Sequence, residues 1–215
     1  MTLSFTITEI FASIQGESSF AGLPCTFIRL TGCPLRCNWC DTAYGFENGT
    51  LMSADDILGK VNELSPKIVE FTGGEPLGQS GVPALMKMFV EKGYQVLLET
   101  SGAVAIDAVP QEAHIIMDIK CPGSGMDSRN LWPNLDYLKA SDEIKFVIAS
   151  YADFEWALNV VHEFNLEKRF KLLFSPAWGL VKEKDLSAWV LDSGIDCRLN
   201  LQLHKYIWGP RVKGV

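Results

Sequence analysis

Three cysteines fall within eight residues of the stretch GCPLRCNWCDT (32–42): Cys33, Cys37 and Cys40, separated by three residues and then two. Gly32 and Pro34 beside them mark a loop, where thiols are poorly placed to act as buried small hydrophobes. A structural zinc wants a fourth ligand. Cys25, Cys121, Cys197 and the three histidines offer none at finger spacing. A 4Fe–4S cube in an ordinary electron carrier takes four ligands. Three thiolates instead leave one iron open to a small molecule, so the pattern points to a cluster that binds a cofactor.

Other residues with chemical potential stand at comparable places. TGGEP (72–76) offers glycines that let backbone approach a ligand closely, and Glu75 can help hold an ammonium. Arg29 interrupts the apolar run TFIRL four residues before Cys33; its planar fork suits a carboxylate. Gln15 and Glu17 place hydrogen-bonding side chains ahead of that run, and Thr100 lies at a strand end.

These residues need a scaffold. Apolar runs of strand length occur at 26–30, 67–72, 95–100, 114–119, 143–148, 171–175 and 198–204. Between them, SADDILGKVNEL opens on a capping box of Ser53 and Asp56, and VPALMKMFVEKG ends at Gly93. YADFEWALNVVHEF and EKDLSAWVLDSG show helical apolar spacing. Alternating strands and helices predict a parallel sheet. A closed eightfold barrel typically needs about 250 residues, so the expectation is an α/β fold: an open, partial parallel β/α barrel of six to seven strands. The cysteine loop, TGGEP, TSG, KCPGS and SPAW each follow a strand, and C-terminal strand ends form the active face of such folds.

Composition bounds the rest. The chain has 215 residues, 47% hydrophobic and 21% charged, suiting one domain over 1–215. A net charge of −7 disfavours a nucleic-acid partner. No run approaches the ~20 apolar residues of a membrane span, and the N-terminus lacks a secretory pattern. Six cysteines without an export signal read as reduced thiols of a cytoplasmic protein.

Cys-x3-Cys-x2-Cys with Trp39 before the third cysteine, together with TGGEP, resembles the radical S-adenosylmethionine (SAM) superfamily. The segment 9–42, with Gln15-Gly16-Glu17, Arg29 and Asp41-Thr42, is similar to the 7-carboxy-7-deazaguanine synthase family within it; LLETSG (97–102) and LQLHK (201–205) match later parts. The resemblance implies a 4Fe–4S cluster on the three cysteines with SAM on its open iron. It implies ring contraction of 6-carboxy-5,6,7,8-tetrahydropterin with loss of ammonia, a carbon–nitrogen lyase reaction in 7-deazapurine and queuosine biosynthesis.

By the same resemblance Thr42 helps hold Mg²⁺. Ile14, Gln15, Gly16, Glu17, Arg29, Thr100 and the terminal carboxylate of Val215 bind substrate, the C-terminal tail lying over the site. Trp39, Asp41, Gly74, Glu75 and Gly102 contact SAM, with Lys120, Cys121, Pro122, Gln202 and His204 lining the remainder. An electron donor such as flavodoxin and a homodimer complete the implication. Two alternatives stand beside it: an activating enzyme that makes a glycyl radical on a partner protein, and a non-enzymatic zinc-binding module.

Overall fold

A computed structural model describes residues 3–215. One nine-stranded sheet organises them: β1 (Ser4–Ile14), β2 (Pro24–Leu30), β3 (Thr50–Ser53), β4 (Ile68–Gly73), β5 (Gln95–Thr100), β6 (His114–Ile119), β7 (Glu143–Ile148), β8 (Lys171–Pro176) and β9 (Arg198–Leu199). The spatial order is β3-β1-β2-β4-β5-β6-β7-β8-β9. β2 and β4 to β9 form a continuous parallel run. β1 and β3 extend it antiparallel at one edge.

Helices α1 (Ala54–Asn62), α2 (Val82–Glu91), α3 (Tyr151–Glu163) and α4 (Glu183–Ser193) pack on the outer face, and α5 (Leu203–Ile207) follows β9. The Ser53–Asp56 capping box forms as the sequence predicts, and Gly93 takes φ +81 just past α2. The main core lies between sheet and helices, with Phe71, Phe89, Phe146 and Phe174 fully buried. No helix among the described residues is long and apolar enough to cross a membrane.

Two expectations change. The sheet gains β1 and β3, and the strand expected over 198–204 stops at Leu199. Asn200 makes the last backbone bond to β8, its N–H donating to Phe174 O at 2.8 Å. The chain then turns into α5, and Leu203 N–H donates to Gly16 O at 2.9 Å. Residues 15–23 thereby bridge the sheet's open side: Ser18 N–H reaches Asn200 Oδ1 at 2.8 Å and Ser19 N–H reaches the Glu143 carboxylate.

The inner face is layered. Leu97, Ile116 and Leu173, with Phe20 and Ile68, make a small apolar floor. Above it each of four neighbouring strands contributes one charged side chain: Glu70, Glu99, Asp118 and Lys145. Period-two alternation puts them on the inner face, and Asp118 sits in register with Lys145.

Candidate active site

A cavity of about 380 Å³ opens at the C-terminal ends of the parallel strands. Cys33, Cys37 and Cys40 all line it. Their loop is held by backbone bonds that sequence distance hides. Glu75 N–H donates to Gly32 O at 2.8 Å, Gly32 N–H to Gly45 O at 2.9 Å, and Asn38 N–H to Ser124 O at 3.0 Å. Leu35, fully buried, anchors the loop from below. Gly74 is packed so closely that a Cβ there would sit 2.1 Å from Gly32 O and 2.8 Å from Cys33 Cβ.

The donor set fits a cluster. Burial pushes the Cys33 and Cys37 thiols up, against the opposing pull of Lys120 on both, so a metal must supply the positive charge that makes them thiolates. No three His, Cys, Asp or Glu side chains among the described residues converge tightly enough to chelate one ion. Two buried polar atoms on cavity residues have no protein partner, Trp39 Nε1 and Asp118 Oδ1. Lys120 lies over the Trp39 ring at 5.4 Å and pairs with Asp118 at 2.8 Å.

On the far wall, Arg29 gives Nε to Glu9 at 2.7 Å, and Tyr44 Oη donates to the same Glu9 oxygen at 2.9 Å. The terminal nitrogens of Arg29 make no hydrogen bond among the described residues and remain available on the cavity wall. Ile14, Gln15, Gly16 and Glu17 line the same space. A Cβ on Gly16 would meet His204 Nδ1 at 2.2 Å, so this glycine lets α5 close against the N-terminal segment. Gln202 donates to Glu17 at 3.1 Å.

Thr42 and Asp41 share the mouth. Thr42 Oγ1 donates to Asp41 Oδ1 at 2.9 Å, and Lys205 Nζ approaches Asp41 Oδ2 at 2.5 Å. Desolvation opposes ionisation of Asp41, but Lys205 and Thr42 prevail and hold it at about 2. Residues 209–215 also line the cavity. Lys213 Nζ sits 4.2 Å from the Tyr44 ring centroid, and Val215 lines the cavity.

Five expected residues lie outside the cavity wall. Glu75 is buried and turned between loops: its carboxylate accepts from Leu77 N at 3.0 Å, Thr100 Oγ1 at 2.9 Å and Ser101 N at 2.7 Å. Thr100 therefore faces Glu75. Gly102, at φ +68, receives Leu131 N–H on its carbonyl and borders a minor cleft beside Trp132. Cys121 is in the main core, and Pro122 starts a short 3₁₀ turn behind the cysteine loop. Thr72 and Ser101 line the cavity instead.

The sequence reading also passed over the charged inner layer. Lys145 is 4% exposed. It pairs with Glu17 at 3.0 Å, with Glu99, and with Asp118 at 3.7 Å. Burial opposes ionisation of Glu17, but Lys145, His204 and Gln202 outweigh it and hold the group at about 2. Glu70 lies deeper, its Oε2 accepting from Gln15 Nε2. The signal was present: a charge stands inside each of KIVEFT, QVLLET, HIIMDI and EIKFVI, strands that a parallel sheet buries on both faces.

A model of the radical SAM superfamily matches residues 27–120. A 7-carboxy-7-deazaguanine synthase of Koribacter versatilis is 47% identical, the alignment covering 97% of this chain and 99% of that protein. The chain belongs to the 7-carboxy-7-deazaguanine synthase family. A second relative of that description, from Chlorobaculum tepidum, is 42% identical over 97% of this chain and 96% of its own length. The crystal structure of QueE from Escherichia coli shares the fold, with TM-score 0.78 at 23% identity, covering 94% of this chain and 95% of that one.

Proposed function

We propose that this chain converts 6-carboxy-5,6,7,8-tetrahydropterin to 7-carboxy-7-deazaguanine with release of ammonia. The observation that carries the reading is one cavity that joins the three-cysteine loop to an arginine fork, with two carboxamides and a carboxylate between them. Family membership at up to 47% identity supports it.

Cys33, Cys37 and Cys40 would hold a 4Fe–4S cluster, which together with SAM would supply the one-electron chemistry that begins hydrogen abstraction. The chain's own residues do the rest. Arg29, fixed through Nε by Glu9, presents its free nitrogens to the substrate carboxylate as a bidentate fork. Gln15 and Glu17 face the heterocycle edge, joined there by Thr72. Gly74, Trp39, Asp41, Lys120, Gln202 and His204 form the SAM side, while Glu75 braces that side by tying the loops after β4 and β5 together. Thr42 offers Mg²⁺ an oxygen ligand near the substrate. Residues 209–215 close the mouth, keep water from reactive carbon, and bring the Val215 carboxylate to the guanidine-like edge.

The reading includes a flavodoxin-type electron donor, a homodimer and a reducing, cytoplasmic setting for the six free cysteines. The glycyl-radical alternative needs a peptide to enter a cavity whose lining already includes residues 209–215, which disfavours it. The zinc-module alternative leaves the arginine fork, and the cavity that joins it to the cysteine loop, without a role. Incubation with the carboxylated tetrahydropterin, SAM, Mg²⁺ and reductant, followed by mass analysis, tests the proposal. A product lighter by one ammonia is expected. Substrate unchanged by a fully iron-loaded enzyme would overturn it.

A further inference from the structure

One buried carboxyl has no task in the reading above. Glu70 is 1% exposed, yet it lines the cavity floor beside Glu99, which is also a lining residue. The two carboxyl groups come from adjacent parallel strands and rise from the same face: Glu70 pairs in register with Leu97, which makes Glu99 its diagonal neighbour. Lys145 donates to Glu99 and Glu17, so its ammonium offsets those two carboxylates. Asp118 has Lys120 at 2.8 Å. Among the described residues no cation makes a salt bridge with Glu70; its hydrogen-bond partner is Gln15.

We propose that Glu70 and Glu99 share one proton, held on the deeper Glu70, and that this pair is the catalytic acid–base for ammonia loss. The proposal rests on the ring-contraction reading. That overall reaction removes one ammonia and involves no net oxidation. When the carbon–nitrogen bond breaks, its electron pair leaves on nitrogen, which must gain a proton. The new ring double bond forms from the electrons of a carbon–hydrogen bond, whose proton must go to a base. A pair holding one proton gives it to nitrogen and recovers one from carbon, ending as it began. Two carboxyls in low dielectric favour this single-proton state, because both cannot ionise at close range.

The electrostatics agree. Burial, then the nearby Glu99 and Glu17 carboxylates, push Glu70 well above the ordinary carboxylate range, against the opposing pull of Lys145. The other groups facing the pair are Gln15 from the N-terminal segment, Cys25 from β2 and Asp118 from β6. The shift favours the protonated form, and the proton is lost as pH rises through the raised value.

The test uses reconstituted, iron-loaded enzyme. Glu70→Gln copies the shape of a protonated carboxyl but cannot transfer its proton. Turnover number should fall about 100-fold or more, with substrate KM changed less than about threefold, a split that marks loss of chemistry rather than binding. Wild type should show an alkaline limb in its turnover–pH profile that the variant lacks. Infrared spectra of the resting protein, which need no turnover, should show a protonated-carboxyl band in wild type that disappears in Glu70→Gln. Wild-type turnover and pH profile in the variant, or a band unaffected by both Glu70→Gln and Glu99→Gln, would overturn the pair. If Glu70→Gln fails to fold, Glu99→Gln carries the turnover, KM and pH-profile readouts, and the infrared band, which belongs to Glu70, should shift rather than disappear. Failure of wild type itself to make product would instead refute the ring-contraction reading, leaving the infrared result to judge the shared proton.

Discussion

Gly74→Ala should cost the enzyme its iron while leaving its fold. The added methyl would stand 2.1 Å from Gly32 O, 2.7 Å from Gly32 C and 2.8 Å from Cys33 Cβ. Comfortable contact needs about 3.5 Å, so the strand end and the cysteine loop must separate by more than about 1 Å. Two of the three neighbours are backbone and cannot rotate aside. Gly32 O is also fixed by the Glu75 N–H at 2.8 Å, so the shift strains that bond as well. Overpacking of this kind costs ~1–3 kcal/mol, which for a chain of this size lowers the melting temperature by about 2–12 °C. Ligand sets tolerate misplacement of only about 0.5 Å, and Cys33 moves with Gly32. Anaerobic reconstitution with iron quantitation and visible absorption, beside thermal melts of the metal-free protein, reads both effects. Iron should fall below half of wild type. Gly59→Ala serves as control, since its Cβ meets nothing within 4 Å and a helical alanine should stabilise slightly. Full iron loading in Gly74→Ala with an unchanged melt would refute the reasoning that this contact sets the loop.

Lys145→Met should destabilise by ~3–5 kcal/mol in urea titration at neutral pH, because it strands buried carboxylates. Glu17 is held at about 2 against an ordinary 4.5, so its contribution is present above 4.5 and lost as pH falls toward 2; the variant should lack that acid dependence, and equal acid slopes would refute the pairing. Arg29→Lys keeps charge but loses the fork, so substrate affinity should fall about 5- to 150-fold while SAM affinity holds; equal losses by calorimetry would make Arg29 merely structural. Thr42→Val should blunt the rise of turnover in a Mg²⁺ titration, and an identical response would move the metal elsewhere. Deleting residues 211–215 should raise the substrate KM with iron content intact, whereas unchanged kinetics would deny the tail a binding role.

Local chemistry was legible in the sequence because its determinants are local. The spacing of Cys33, Cys37 and Cys40 marks a three-thiolate loop without reference to any distant residue. The Ser53–Asp56 cap and the six strand runs from β2 to β8 follow from side chains a few positions apart. The seventh run failed for a long-range reason. Leu199, Leu201 and Leu203 alternate as in a strand, but β9 is the sheet edge, and Gly16 O captures Leu203 N–H and turns the chain into α5. Glu75 and Thr100 look like ligand groups at strand ends, yet only folding brings adjacent loops close enough for them to satisfy each other. The charged inner layer shows the same division. Single charges in apolar strands can be read from sequence, but their pairing depends on register, which sets Asp118 beside Lys145. It depends equally on the loop that carries Glu17 across the open side, 128 residues distant in sequence from the lysine it meets. The low dielectric that makes those contacts matter exists only once the sheet has curled around them.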